Sequence, residues 1–387
     1  MRNILSEMEV KLDKGYAWVI CFSCFLITAM CDGVAMAFGV LVPSVKKSYN
    51  CSSVMVAIIG SLHLAFMYLF SVPIAFISKY FGPRKTAIIG SLLAASSLLV
   101  SGFSPSWYIL TISYGVVAGF GLGMALFPAN FAPNVFFEKR LSVANAIVFS
   151  GSSIGYLTMA PLLSWMVENY GFKEAFLLES VLTCTAAATG FLIIDPPFSK
   201  DSKEKSVARK NTWIDVKNDL KETLNNKSFV IFLAAEQLAG LVSAIPVMFL
   251  PSMLTDHGIT LHQASLGITV IGVSNMLGRL LCGLQDFCPQ HTIKTLATSA
   301  LGSGLSMAFM VPFRSMPVTY LVCGFYGLLT GPIMALGPPA LVLLVKKENL
   351  STAMGISGTI YGTVLLAGKK LEHTSKDLIV KHSSLTS

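Results

Sequence analysis

Runs of apolar residues long enough to cross a lipid bilayer are the feature that most constrains how this chain can fold. A helix that spans the hydrocarbon core needs about 20 consecutive, mostly apolar residues. Of the 387 residues, 53% are hydrophobic and only 12% are charged, which is more apolar surface than one soluble core can bury. We therefore predict an all-α membrane protein with eleven transmembrane helices, at residues 16–44, 54–78, 86–104, 107–135, 142–167, 173–194, 229–254, 264–284, 292–312, 317–345 and 350–368.

A polar, charged segment that begins with two prolines separates the first six predicted helices from the last five, and it reads as a linker. Two short sequences recur on either side of it. FGPRKT at 81–86 resembles FCPQHT at 287–292, and LSVA at 141–144 resembles LSTA at 350–353, so the repeats lie 206 and 209 residues apart. Two matches at nearly equal offsets indicate a duplicated six-helix unit of parallel topology.

The predicted domains follow from this duplication. They are an N-terminal six-helix bundle at 1–194, a cytoplasmic linker at 195–228, an incomplete C-terminal bundle at 229–368 and an atypical polar tail at 369–387. By the repeat offset a twelfth helix should follow and end near about 403. Instead Lys369 and Lys370 come directly after Gly368. Charged side chains inside the lipid bilayer are energetically costly. The hypothesis is therefore a C-terminally truncated or alternatively spliced product.

Basic residues cluster in the loops after the second, fourth, sixth and tenth predicted helices, which all lie on one side if the helices alternate. Outside the linker, they are Lys79, Arg84, Lys85, Lys139, Arg140, Lys346 and Lys347. The positive-inside rule makes that side cytoplasmic and places the N-terminus there too. The net charge of +8 then reflects topology and contact with membrane lipid, and we expect no nucleic-acid partner.

Catalytic and metal-binding patterns are missing from the sequence. The eight cysteines mostly fall inside apolar runs, and their spacing suits neither a disulfide framework nor a zinc site. No phosphate-binding loop, nucleophile elbow or HExxH motif is present. We expect a protein that is not an enzyme and that needs no metal or cofactor.

Two segments resemble the signatures of the monocarboxylate transporter family. DKGYAW at 13–18 resembles its first signature, with Lys14 in place of a glycine, and FFEKRLSVANA at 136–146 resembles its second, continuing into SGSSIG at 150–155. The resemblance implies the major facilitator fold, a plasma-membrane location and small carboxylate-bearing solutes. The signatures are expected to brace helix ends and the gate, through Asp13, Gly15, Trp18, Lys139, Arg140 and Gly151.

Ionisable residues at membrane depth are candidates for function. Arg279, in the eighth predicted helix, is permanently charged and can hold a carboxylate through two parallel hydrogen bonds, or it can extend to the cytoplasmic surface. Proton-coupled relatives carry an aspartate four residues earlier, where this chain has Asn275, which cannot carry a proton. They also carry a lysine in the first helix, which falls at about Met36 or Ala37 by counting from Trp18 and is absent here.

Asp32 lies near the middle of the first predicted helix. It is expected to pair with Arg279 in the empty protein, to titrate as a coupling acid, or to cap a helix break. His63 is a candidate proton relay or a packing residue, and the amides Asn130 and Asn145 are candidate solute ligands. Two further acids are Glu236, a weaker candidate, and Glu179, expected to be structural.

Together these residues predict a secondary transporter that works by alternating access on a small organic acid or a zwitterion, by facilitated diffusion rather than proton symport. The alternative is a non-transporting truncated isoform that binds or regulates a partner, such as a full-length carrier or an accessory single-span glycoprotein.

Overall fold

The computed structural model describes residues 12–194, 212–240, 261–310 and 316–366, and these are helical with short connections. In chain order the helices are α1 (Tyr16–Tyr49), α2 (Ser53–Leu69), α3 (Ser71–Phe81), α4 (Pro83–Gly102), α5 (Trp107–Leu110), a π-helical turn (Thr111–Ala118), α6 (Gly119–Phe131), α7 (Pro133–Phe136), α8 (Leu141–Asn169), α9 (Phe172–Gly190), α10 (Thr212–Asn225), α11 (227–240), α12 (Leu261–Leu281), α13 (Thr292–Met310), α14 (Met316–Ala335), α15 (Gly337–Leu344) and α16 (350–366).

Each of the eleven predicted apolar runs contains a helix in its described part. Six helices among the described residues are long and apolar enough to cross a membrane, and the bent pair α2–α3, with 46° between its halves, makes seven if it is one span. The second part of the seventh run (241–254), the first part of the linker (195–211) and the polar tail lie outside the described residues. The full number of eleven spans stays a prediction.

Local sequence explains where several helices begin. The hydroxyl of Ser52 accepts a hydrogen bond from the backbone N–H of Met55, which caps α2. Gly82, at φ 93°, ends α3, and Pro83 then starts α4 at a position where a missing N–H costs nothing. Between α2 and α3 the chain bends at Phe70, whose backbone leaves helical geometry.

The packing of α2 against the π-turn and α6 repeats between α12 and α14. A Cβ on Gly119 would strike the backbone carbonyl of His63, and one on Gly123 would strike that of Met67. In the second half, Gly327 and Gly331 stand in the same relation to Ile271 and Asn275. The two pairs of the second half follow the two pairs of the first half at the same offset of 208 residues. This agreement supports the duplication inferred from the sequence. By the same offset, Ser71 is the counterpart of Arg279.

The two halves meet at the end of the bundle that carries Lys79, Lys139 and Lys346, here called the basic end. The carboxylate of Asp286, which follows α12, accepts hydrogen bonds from the backbone N–H groups of Ser142 (2.7 Å) and Val143 (2.9 Å). These are orphan donors of the first turn of α8. The second half therefore caps a helix of the first half.

The linker helix α10 also bridges the halves at the basic end. Its Asp219 forms a 2.8 Å ion pair with Lys79, which ends the second span of the first half. Its Glu222 forms a 2.8 Å ion pair with Lys346, which follows α15 in the second half. Asn226 donates to the carbonyl of Leu344 at 2.8 Å. Helix α10 thus holds the ends of both halves together.

Removing the Asp286 cap should loosen the basic end. We expect Asp286→Ala to raise the alkylation rate of the buried thiol of Cys282 about fivefold, because a lost helix cap is worth about 1 kcal/mol. The rate is measured by mass spectrometry of the labelled peptide, normalised to a cysteine-free peptide of the same digest. The control is Gln285→Ala, which perturbs the same segment and removes side-chain hydrogen bonds to Cys288 and Thr295 rather than to α8. An equal increase of the Cys282 alkylation rate in both variants would mean that the segment around Cys282 unfolds locally, and would contradict an opening between the two halves.

Candidate functional site

Asp32 lies in the middle of α1 with only 8% of its surface exposed. Its Oδ2 atom accepts a hydrogen bond from the hydroxyl of Ser152 on α8 at 2.5 Å, and its Oδ1 atom accepts one from the hydroxyl of Tyr68 on α2 at 3.5 Å. A carboxylate has about four acceptor positions. Asp32 therefore keeps capacity for a further donor or a cation.

Arg279 reaches from α12 towards the first half. Its Nη1 atom donates to the backbone carbonyl of Phe149 on α8. Its Nε atom is buried and has no hydrogen-bond partner among the described residues. Because a buried unsatisfied donor is costly, this guanidinium is ready for an additional acceptor.

Asp32 and Arg279 face each other across the junction of the halves. Their opposite charges attract each other, yet among the described residues no ion pair within 4.0 Å joins them. Tyr68 and Tyr361 lie beside them, with ring centroids 5.1 Å apart and planes at 89°. The five residues Asp32, Tyr68, Ser152, Arg279 and Tyr361 are called the central polar cluster below.

Asn275 lies one turn before Arg279 on α12 but has a partner of its own. Its Nδ2 atom donates to the hydroxyl of Thr330 on α14 at 3.0 Å. The amide thus ties α12 to α14 next to the central polar cluster. Its role as a solute ligand stays a prediction.

Asn130, Asn145 and His63 are not brought into the central polar cluster. Asn130 accepts from Thr28 at 3.4 Å, and Asn145 donates to Asn134 at 3.1 Å, all within the first half. His63 is 0% exposed, bonds the carbonyl of Tyr114 through Nδ1 at 2.7 Å and stacks on its ring at 4.3 Å. These are packing contacts, and solute binding or proton relay by the three residues stays a prediction.

The two remaining acids lie apart from each other. Glu236 on α11 accepts from the hydroxyl of Ser357 on α16 at 2.7 Å, so it links two helices of the second half. Glu179 on α9 is 0% exposed, and neither of its carboxylate oxygens has a hydrogen-bond partner among the described residues. Within the described chain, no group of three His, Cys, Asp or Glu side chains is arranged to hold a metal ion.

The two signature segments are in direct contact at the basic end. The carboxylate of Asp13 accepts from the backbone N–H groups of Glu138, Lys139 and Arg140 at 3.2, 3.1 and 2.9 Å. Trp18 donates to the carbonyl of Asp13 at 3.2 Å, and the Arg140 guanidinium lies 5.9 Å from the Trp18 ring centroid. These contacts join the start of α1 to the loop that leads into α8.

The remaining signature residues are glycines with different geometric roles. Gly15 precedes α1 with φ 52°, a left-handed backbone that glycine adopts without strain. Gly151 lies where α8 crosses α1, and a Cβ there would meet the carbonyl oxygen of Phe25. Both positions therefore support the bracing role expected for the signatures.

Asp13 should stabilise the fold in its charged form. Partial burial raises the pKa of its carboxyl, but three backbone hydrogen bonds and the charge of Arg140 outweigh this and lower the pKa. A lowered folded-state pKa contributes stability above the unfolded value, about 3.9, and that contribution is lost as the pH falls through the folded-state pKa.

We accordingly expect Asp13→Asn to destabilise the protein by about 1 kcal/mol at neutral pH, seen as a lower thermal midpoint in detergent. The difference from the unmodified protein should vanish at strongly acid pH. Glu138→Gln is the control, because the Glu138 side chain is exposed and its ion pair with Lys347, at 3.6 Å, is a surface pair that contributes little. A midpoint unchanged by Asp13→Asn would contradict the capping role.

Several residues of the site were not among the sequence candidates. They are Tyr68, Ser152 and Tyr361, the carbonyl of Phe149, and Asp286 at the basic end. Two of them left a trace in the sequence: Ser152 lies within the SGSSIG segment, and Asp286 lies one residue before the repeated FCPQHT segment. The other three lie in runs that are apolar on every side, where helical periodicity does not single them out.

Two halves related by a repeat, with a charged cluster at their junction, are typical of membrane transporters. Residues 22–368 match the family model described as Major Facilitator Superfamily. The chain therefore belongs to this superfamily of secondary transporters, which are not enzymes, and the predicted fold class is confirmed.

The chain is similar to named monocarboxylate transporters along most of its length, which confirms the resemblance seen in the sequence. It is 24% identical over 364 residues to monocarboxylate transporter 3 of Rattus norvegicus, covering 92% of this chain and 73% of that protein. It is 25% identical over 368 residues to monocarboxylate transporter 13 of Rattus norvegicus, covering 95% and 84%.

A solved structure shows the same fold at lower sequence identity. The structure of the proton:xylose symporter XylE bound to 6-bromo-6-deoxy-D-glucose superposes with a TM-score of 0.72 at 14% identity, covering 95% of this chain and 90% of that one. At such identity the likeness speaks for the fold alone.

Proposed function

We propose that this transporter carries small carboxylate-bearing solutes by alternating access, with Arg279 as the carboxylate anchor. The observation that supports this is the buried Nε atom of Arg279, which has no hydrogen-bond partner among the described residues, at the junction of the two halves. A guanidinium presents parallel donors that match a carboxylate. The monocarboxylate transporters to which the chain is similar are named for solutes of this class.

The proposed mechanism is facilitated diffusion rather than proton symport. The side-chain amide of Asn275 donates a hydrogen bond to the hydroxyl of Thr330. An amide cannot take up and release a proton as a carboxylate can. In alternating access the two halves rock about the central polar cluster. The cap from Asp286 and the ion pairs of α10 would then break when the basic end opens.

We further propose a plasma-membrane location with the basic end and the N-terminus in the cytoplasm. The basic loops support this orientation through the positive-inside rule. Contact with an accessory single-span glycoprotein is a further proposal that rests on the family resemblance.

Uptake into proteoliposomes tests the proposed function. The purified chain is reconstituted and offered a panel of radiolabelled carboxylates, amino acids, betaines and neutral sugars, with the pH clamped on both sides. We expect saturable uptake of carboxylate-bearing solutes only, without acidification of the lumen. Carboxylate binding without uptake would favour the non-transporting alternative, and uptake of neutral sugars alone would refute the proposal.

A further inference from the structure

Resting on the proposed function, we infer that the preferred solutes are zwitterions, whose carboxylate binds Arg279 and whose ammonium group lies against Asp32 beside Tyr68 and Tyr361. The central polar cluster contains one acid and one base, from opposite halves of the protein. A solute with a single charge would satisfy only one of them. A solute with both charges would satisfy both.

The hydrogen bonds of the two charged residues leave both with unused bonding capacity for such a solute. Asp32 is bonded to the neutral hydroxyls of Ser152 and Tyr68, and Arg279 is bonded to the neutral carbonyl of Phe149. Among the described residues, no ion pair within 4.0 Å engages either charged group. Both groups are therefore available to a ligand.

Helix α8 carries a hydrogen-bond partner of each charged residue. Ser152, which holds Asp32, and Phe149, which holds Arg279, lie three residues apart on this helix. That separation is about one helical turn, roughly 5 Å. Compact zwitterions, in which one to three carbons separate nitrogen from carboxylate, carry their charges on this scale.

The surroundings of Asp32 suit an ammonium group. Tyr68 and Tyr361 meet edge to face beside it, and the faces of aromatic rings attract cations. A lone monocarboxylate at Arg279 would instead bring a second negative charge towards Asp32, whose carboxylate is buried, and charges interact more strongly in a buried site than in bulk solvent.

Bridging by a zwitterion also couples binding to closure. Asp32, Tyr68 and Ser152 belong to the first half, whereas Arg279 and Tyr361 belong to the second. The charge of Arg279 is not repeated in the first half, because its counterpart by the offset of 208 residues is Ser71. A solute held by both charges draws the halves together, which is what alternating access requires of a transported solute.

Isosteric ligand pairs test this inference with the full chain in nanodiscs. Glycine betaine is compared with 3,3-dimethylbutanoate, and β-alanine with butanoate, since each pair differs by one positive charge at almost constant shape. Dissociation constants are measured by displacement of a radiolabelled carboxylate. We expect the zwitterion of each pair to bind at least about tenfold more tightly, and Asp32→Asn to reduce this ratio to near one. Glu168→Gln, at an exposed position near the end of α8, should leave the ratio unchanged.

If Asp32→Asn folds poorly, Tyr68→Phe is the second variant, because it removes the hydroxyl that is bonded to Asp32. It is expected to reduce the ratio of the two dissociation constants severalfold. Equal binding of isostere and zwitterion to the unmodified protein would overturn the inference. If the isostere also took up one proton per molecule bound, Asp32 would be a proton site instead. Carboxylate binding that still depends on Arg279 would leave the proposed function standing. Absence of any binding, or binding indifferent to Arg279→Lys, would overturn the proposed function as well.

Discussion

Replacing Arg279 with lysine is expected to lower the affinity for carboxylate ligands about 100-fold. Lysine keeps the positive charge but loses the planar fork of donors, so it cannot hold both oxygens of a carboxylate while also bonding the carbonyl of Phe149. A lost charged hydrogen bond is worth about 1.5–3 kcal/mol, which corresponds to roughly one to two orders of magnitude in affinity. The measurement is the dissociation constant in nanodiscs, followed by uptake.

Arg84→Lys is the matched control for this experiment. Arg84 lies at the start of α4 in a basic loop, 5.6 Å from the ring centroid of Phe191 and outside the central polar cluster. The same chemical change there should leave affinity within about twofold, because surface charges contribute little. If Arg279→Lys retained the affinity of the unmodified protein, the carboxylate would bind elsewhere.

Gly155→Ala is expected to prevent the first half from packing. Helix α8 crosses α1 so closely at Gly155 that an added Cβ would overlap the backbone carbonyl of Ala29. Backbone cannot move aside as a flexible side chain can. Overpacking of this kind costs about 1–3 kcal/mol and sometimes more, and it would also displace Ser152 from Asp32. We expect loss of the monodisperse peak in size-exclusion chromatography and a large fall in the thermal midpoint.

Gly39→Ala provides the control on α1 itself. A Cβ at Gly39 would meet no atom within 4 Å, and alanine favours the helix over glycine. The variant should therefore be neutral or slightly more stable. A Gly155→Ala protein as stable as Gly39→Ala would show that the two helices can separate at no cost.

The sequence itself determined the helices and their order. Apolar runs of bilayer length fix where helices lie, since a backbone in lipid must satisfy its own hydrogen bonds. Local cues such as Ser52 and the Gly82-Pro83 pair fix helix ends. The repeated segments pointed to the duplication that the paired glycines support at an offset of 208 residues. Arg279 and Asp32 were visible because charges are rare at membrane depth.

Only the tertiary structure decided which polar groups meet. Tyr68, Ser152 and Tyr361 lie in apolar stretches, and their approach to Asp32 and Arg279 depends on the rotation and crossing of four helices. In lipid every face of a helix can be apolar, so periodicity does not reveal which face is buried. The contacts made by Asp13 and Asp286 with backbone N–H groups likewise join segments more than 120 residues apart. Such long-range contacts depend on how the helices pack, and the spacing of the residues along the chain does not reveal them.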